Sequence, residues 1–161
     1  MANGRVAIFT GDGRGKSSAA IGRAIGAAAA GKSVVMIQFL KGKGLGDSDF
    51  LRRMEPEIKI FGFEKSEGNF DELPEEKKKE EIRNLCNGIN YAKKVLATGE
   101  CDLLVLDEVL GVLEMGIISV DDFKCILENR GETDIILTGI TLTQEVGCLV
   151  DEIQRIETLK G

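Results

Sequence analysis

The sequence predicts an α/β fold, a mostly parallel sheet with helices on both faces, built by a single domain over residues 1–161. Three observations predict it. Short apolar runs that read as buried strands recur at 5–9, 33–40, 101–106 and 133–137. Segments with helical character separate them, and alternation of strands with helices implies a parallel sheet covered on both sides. The first strand also leads directly into a glycine-rich loop and then an alanine-rich helix.

In chain order, residues 5–9 (RVAIF) form a first strand, and 17–30 a helix whose small residues allow close packing on a sheet, stopped by Gly31. Residues 33–40 (SVVMIQFL) form a second strand, continuously apolar as expected of a strand covered on both faces. A glycine-rich loop (41–47), a short helix (50–54), a third strand (58–61) and an exposed polar loop (63–72) are expected next. Pro74 suits the first turn of a helix, with Glu75 and Glu76 at its positive end. Ile82, Leu85, Ile89, Ala92 and Leu96 then recur at spacings of three or four, which predicts one amphipathic helix ending near Gly99. Residues 101–106 form a strand ending in Asp107-Glu108. A helix (120–128), a strand (133–137) ending in Thr138-Gly139, a helix (142–149) and an edge strand (152–158) complete the reading.

Composition narrows the function. The chain has 161 residues, 43% apolar and 30% charged, as an ordinary soluble domain has. Its net charge of −6 argues against nucleic acid and anionic lipid as partners. The basic run Lys77-Lys78-Lys79 is flanked by Glu75, Glu76, Glu80 and Glu81, and reads as a solvated helix face. Cys86, Cys101, Cys125 and Cys148 are scattered without a CxxC pair, so reduced, mostly buried thiols are expected rather than a zinc site. No signal peptide is visible and no apolar run reaches the ~18 residues of a membrane span, which makes a cytoplasmic location the expectation. With no His in the chain, a Ser-His or Cys-His nucleophile pair cannot form, so the nucleophile of any reaction is a substrate or water.

Ligands of such sheets bind beyond the carboxyl ends of the strands. The segment Thr10-Gly11-Asp12-Gly13-Arg14-Gly15-Lys16-Ser17-Ser18 lies there, as do Gln38 to Gly46, Asp107-Glu108 and Thr138-Gly139. The first segment reads as a phosphate-binding loop, which makes the fold P-loop NTPase-like. Its glycines free backbone N–H groups to turn toward anionic oxygens. Lys16 supplies positive charge, Ser17 a hydroxyl for Mg2+, and the helix that follows its N-terminal dipole. ATP with Mg2+ is the expected ligand. The usual pattern begins with Gly, whereas this one begins with Thr10. A dinucleotide fingerprint would require Gly where Lys16 stands, which disfavours a nicotinamide cofactor. Asp107 or Glu108, at the end of an apolar strand, can hold Mg2+ opposite Ser17.

These residues resemble the ATP:corrinoid adenosyltransferases of the CobA/BtuR (CobO) type. The resemblance rests on TGDGRGKSSAAIGRAIG (10–26), VVMIQFLKG (34–42), Gly46-Asp47, DLLVLDE (102–108) and ILTG (136–139), in the family's order and over most of the chain. A loop beginning with Thr is typical of that family. The resemblance implies transfer of the 5′-deoxyadenosyl group of ATP to a reduced Co(I) corrinoid, with release of triphosphate, in cobalamin biosynthesis or salvage. It implies a homodimer, an external electron donor for Co(I), and either cob(I)yrinic acid a,c-diamide or cob(I)alamin as acceptor. It assigns Thr10, Gly11, Asp12, Gly13, Arg14, Gly15, Lys16, Ser17, Ser18, Gln38, Lys41 and Thr138 to ATP. Ser17, Asp107 and Glu108 fall to Mg2+, and Lys16 and Glu108 to catalysis.

The chain departs from the family in having no Trp in the aromatic segment near the corrinoid, where Phe61, Phe63 and Phe70 are the candidates. The family's TGR reads Thr138-Gly139-Ile140, four residues precede the first strand in place of a lid helix, and the chain ends at Gly161 without the usual tail. Two other readings stay open: a non-catalytic or regulatory ATP-binding relative, and a different small P-loop kinase or ATPase. The second is disfavoured by a stretch 110–161 holding only Arg130 and Arg155, too few for a kinase lid.

Overall fold

In a computed structural model that describes residues 3–40, 49–66 and 69–161, β1 (Val6–Thr10) sits between two later strands. Six strands form one sheet in the order β3-β2-β4-β5-β1-β6: β2 (Val34–Gln38), β3 (Ile58–Gly62), β4 (Leu103–Asp107), β5 (Asp134–Gly139) and β6 (Glu152–Arg155). Every pairing is parallel. β1, β2 and β4 are buried along their whole length, which explains their unbroken apolar sequence.

The two faces follow the period of two. Val6 and Ile8 point to one side with Val35, Ile37, Leu104 and Leu106, where α3 (Glu75–Thr98), α4 (Val109–Glu114) and α5 (Val120–Glu128) cover them. Ala7 and Phe9 point to the other side with Met36 and Val105, beneath α1 (Lys16–Ala29). α1 buries only Ala20 and Ala24, and these small side chains let its backbone lie close to the strands. α2 (Asp49–Arg52) and α6 (Gln144–Gly147) are single turns.

Element by element, the sequence expectation holds with five differences. α4 was not anticipated: Asp107-Glu108 masks a six-residue helix whose Leu110 lies against Gly139, leaving no room there for a Cβ. The helix expected over 142–149 forms only over Gln144–Gly147, and the edge strand stops at Arg155. The segment expected to be an exposed loop is half-buried at Phe63 and Glu64 and forms a 3-10 turn at Phe70–Glu72. Phe63 and Phe61 both pack against Tyr91 of α3.

The fourth difference concerns α3. Ile82, expected in the apolar stripe, is 38% exposed, while Glu81, expected on the solvated face, is 2% exposed. The reason is backbone satisfaction: Glu81 accepts from the N–H groups of Lys65 and Ser66, at 3.2 and 3.3 Å. The fifth is the cysteines. Cys101 is buried and Cys86 half-buried, but Cys125 and Cys148 are exposed.

Candidate functional site

The site forms where β1, β2, β4 and β5 end. β1 delivers the loop, and Gly15, in the left-handed region at φ 102°, turns the chain into α1. No side chain caps the first turn of α1 and no acidic residue lies in it. Its N–H groups and its positive dipole end therefore favour an anion. Among the described residues no atom lies within 4 Å of where a Cβ at Gly15 would stand, so toward them this side of the loop is open.

Gly11 and Gly13 have a different reason. A Cβ at either would lie 2.4 or 2.6 Å from the carbonyl oxygen of Ile156. The segment after β6 runs along the loop: Ile156 N–H donates to Thr10 O (2.8 Å), Gly13 N–H to Ile156 O (2.9 Å) and Arg14 N–H to Thr158 Oγ1 (3.3 Å). These glycines make room for a neighbouring chain segment, while Gly15 faces the ligand side.

The predicted site residues are not all placed alike. Lys16, Ser17, Asp107, Glu108, Thr138 and Gln38 come together. The Lys16 ammonium donates to Gly13 O at 2.8 Å, which holds it over the loop. Ser17 Oγ donates to Asp107 Oδ1 at 2.8 Å, joining the start of α1 to the end of β4 across ninety positions. Gln38 is the register partner of Asp107 on β2 and is buried. Asp12, Arg14 and Ser18 are exposed at the mouth of the loop. Lys41 lies outside the described residues, as do Gly46 and Asp47.

Thr10 and Thr138 are turned inward. The Thr10 hydroxyl donates to Ile140 O at 3.1 Å. Thr138 is fully buried; its hydroxyl donates to Asp107 Oδ1 (2.6 Å) and accepts from Glu108 N–H (2.8 Å). That oxygen is engaged on both sides, by the Asp107 carboxylate and by the backbone of Glu108. It also meets a local demand, because Glu108 sits at φ 64°, an uncommon conformation for a non-glycine residue. Thr138→Val is expected to cost about 1–3 kcal/mol through the lost donor and the orphaned N–H. The melting temperature should fall by about 2–10 °C; an unchanged value would contradict this role.

Ser17 and Asp107 bring two hard oxygen donors together beside residues 10–18, and Glu108 adds a carboxylate next in the chain. Mg2+ takes one or two carboxylates and fills its octahedron with water and phosphate oxygens. Among the described residues no group of three or more acidic or thiol side chains is gathered to cage a metal. The donor set thus fits an ion brought in with a phosphate ligand.

Sequence reasoning missed Glu64 and Glu81, which meet beside the site. Leu40 follows β2 at φ 61°, and its N–H donates to Glu64 Oε1. Burial raises the Glu64 carboxyl from its ordinary 4.5 to about 7; the Leu40 N–H opposes the shift and the nearby Glu81 charge adds to it. The folded state therefore binds this proton more tightly than the unfolded one. Stability is lost as pH rises from 4.5 through about 7. Glu64→Gln should remove that component, so the variant's melting temperature should gain on the parent's across this interval. Parallel pH profiles for the two proteins would contradict it. Nothing in the sequence marks these two residues, since both stand in charged stretches that read as solvated.

Comparison with known proteins follows the same residues. The family model described as ATP:corrinoid adenosyltransferase BtuR/CobO/CobP matches residues 2–161. The corrinoid adenosyltransferase CobA of Salmonella typhimurium is 27% identical over 162 residues, covering 98% of this chain and 78% of that protein. The corrinoid adenosyltransferase of Escherichia coli K12 matches to the same extent. An uncharacterised protein of Nostoc sp. is 32% identical over 161 residues, 92% of this chain but 42% of its own length.

Proposed function

This chain belongs to the ATP:corrinoid adenosyltransferase family, and from that premise we propose how its residues transfer the adenosyl group of ATP to a corrinoid. Residues 10–18 hold the triphosphate as a leaving group. The Co(I) electron pair of the corrinoid attacks C5′ of the ribose. The Co–C5′ bond forms, the C5′–O bond breaks, and that electron pair departs on the triphosphate, leaving an alkylated Co(III). The observation that carries the reading is the Lys16 ammonium held over the loop at the start of α1, with the next residue, Ser17, bonded to Asp107 at the end of β4. A chain without His suits a reaction in which the substrate is the nucleophile.

The protein's part is positioning and electrostatics. Negative charge grows on the bridging oxygen as the C5′–O bond opens, and the N–H groups of the first turn of α1 with Lys16 stabilise it. Ser17, Asp107 and Glu108 would hold Mg2+, which neutralises phosphate charge when bound. Thr138 keeps Asp107 and Glu108 in place. On the same reading the protein is a cytoplasmic homodimer supplied with Co(I) by an external electron donor. Its acceptor is cob(I)yrinic acid a,c-diamide or cob(I)alamin. Among the described residues no helix is long and apolar enough to cross a membrane.

The test is anaerobic incubation of the protein with MgATP and a chemically reduced corrinoid, followed by visible spectroscopy. A light-sensitive adenosylcorrinoid is expected. A Co(I) spectrum that persists while the protein demonstrably binds ATP would favour a non-catalytic relative.

A further inference from the structure

We infer that a cavity beside the metal-ligand candidates is a subsite for a neutral, hydrogen-bond-donating side group of the acceptor, a primary carboxamide, and selects amidated corrinoids over those with free carboxylates. The inference rests on the adenosyl-transfer reading above. The cavity has a volume of about 250 Å³ and is walled by Leu40, Glu64, Phe70, Asp71, Glu81 and Met115 among others. Among the described residues that line it there is no Lys or Arg.

Glu81 is the residue that points to a ligand. It is 2% exposed. Its Oε1 accepts from Lys65 N–H, Ser66 N–H and Asn84 Nδ2 at 3.2, 3.3 and 3.0 Å. Its Oε2 is buried and has no hydrogen-bond partner among the described residues. A buried carboxylate oxygen without a donor is costly, and most such atoms in folded proteins are satisfied. The space beside it is several times the roughly 30 Å³ share of one water, so it admits a group of several heavy atoms.

The cavity adjoins the proposed reaction site. Leu40, one of its walls, lies on Gly111 of α4: a Cβ there would stand 2.6 Å from Leu40 Cδ1 and 4.0 Å from Glu108 Oε2. Glu64 follows β3 and Leu40 follows β2, on the edge where the phosphate loop opens.

Chemistry then identifies the group. The rim of a corrinoid carries carboxamides or, before amidation, carboxylates. A carboxamide N–H2 offers two donors to Glu81 Oε2 and the Glu64 carboxyl. A carboxylate offers none and brings a like charge beside Glu64, Asp71 and Glu81. The pocket therefore rewards one and repels the other.

The test compares two reduced corrinoids, one with its rim groups as amides and one with them as free acids, at saturating MgATP and pH 8. The amidated corrinoid should be used at least about tenfold more efficiently in kcat/KM, mainly through KM. Glu81→Gln can turn an amide N–H2 into the cavity, and should bring that ratio at least about threefold closer to unity with ATP affinity unchanged. Glu64→Gln should act in the same direction and serves if the first variant fails to fold. Equal use of both corrinoids by the parent, or an unaltered ratio in the folded variants, would overturn the inference while leaving adenosyl transfer standing. Adenosylation of neither corrinoid would overturn the function itself, and this inference with it.

Discussion

Lys16→Ala should weaken ATP binding by roughly 30- to 1,000-fold, the equivalent of about 2–4 kcal/mol for losing one charge-assisted contact in a partly desolvated site. The structure explains why this one side chain carries so much. Its ammonium is held over the loop by Gly13 O at 2.8 Å, where a phosphate would meet it. Arg14, the other cation of the loop, is exposed at the mouth, and its N–H is engaged by Thr158. Removing Lys16 takes away the cation that the loop holds over its own backbone, leaving the triphosphate to the backbone dipoles and the metal. The fold should barely notice, because Lys16 is only half-buried and its hydrogen bond is local. Calorimetric titration with ATP at fixed Mg2+ reads the effect. Parental affinity in the variant would remove the basis for reading residues 10–18 as a triphosphate cradle.

Asp107→Asn should lower the transfer rate by about 100-fold or more, as loss of a group that holds a catalytic metal typically does. Asp107 is fully buried and accepts from both Ser17 Oγ and Thr138 Oγ1 through one oxygen. Asn keeps the volume and one acceptor but no charge. The variant should fold, bind ATP in the absence of Mg2+ like the parent, and lose the enhancement that Mg2+ gives. Single-turnover transfer and ATP titrations with and without Mg2+ separate these outcomes. A parental rate and a parental response to Mg2+ would assign Asp107 to structure alone, as the keystone between α1, β4 and β5.

How much of this was legible beforehand depends on the kind of signal. β1, β2, β4 and β5 were readable because strands buried on both faces are continuously apolar. α5 matched residue for residue, as Ser119 caps its start by accepting from Asp122 N–H. The loop, Lys16, Ser17, Asp107 and Glu108 could be singled out because each type suits phosphate chemistry at its spacing, and the fold brings Ser17 and Asp107 together. α4 was hidden because Glu108 enters it in a left-handed conformation, a start with no side-chain cap to announce it. Glu81 was misread because its burial depends on the backbone of Lys65 and Ser66, sixteen and fifteen positions away. Thr138 was readable at the end of β5, but its bonds to Asp107 and to Glu108 N–H were not. Sequence shows that a hydroxyl stands there, but only the fold shows that Asp107 and Glu108 already use it. The glycines were readable as necessary, while the reason for Gly11 and Gly13, the passing carbonyl of Ile156, needed coordinates.

The family and the geometry together make one claim: the loop holds triphosphate as a departing group and does not break it. Separation of the phosphate products after a single anaerobic turnover with a reduced corrinoid tests this most directly. Intact triphosphate, in amounts equal to the adenosylcorrinoid formed, is the predicted result. ADP with orthophosphate would contradict it and place the chemistry at the γ-phosphate.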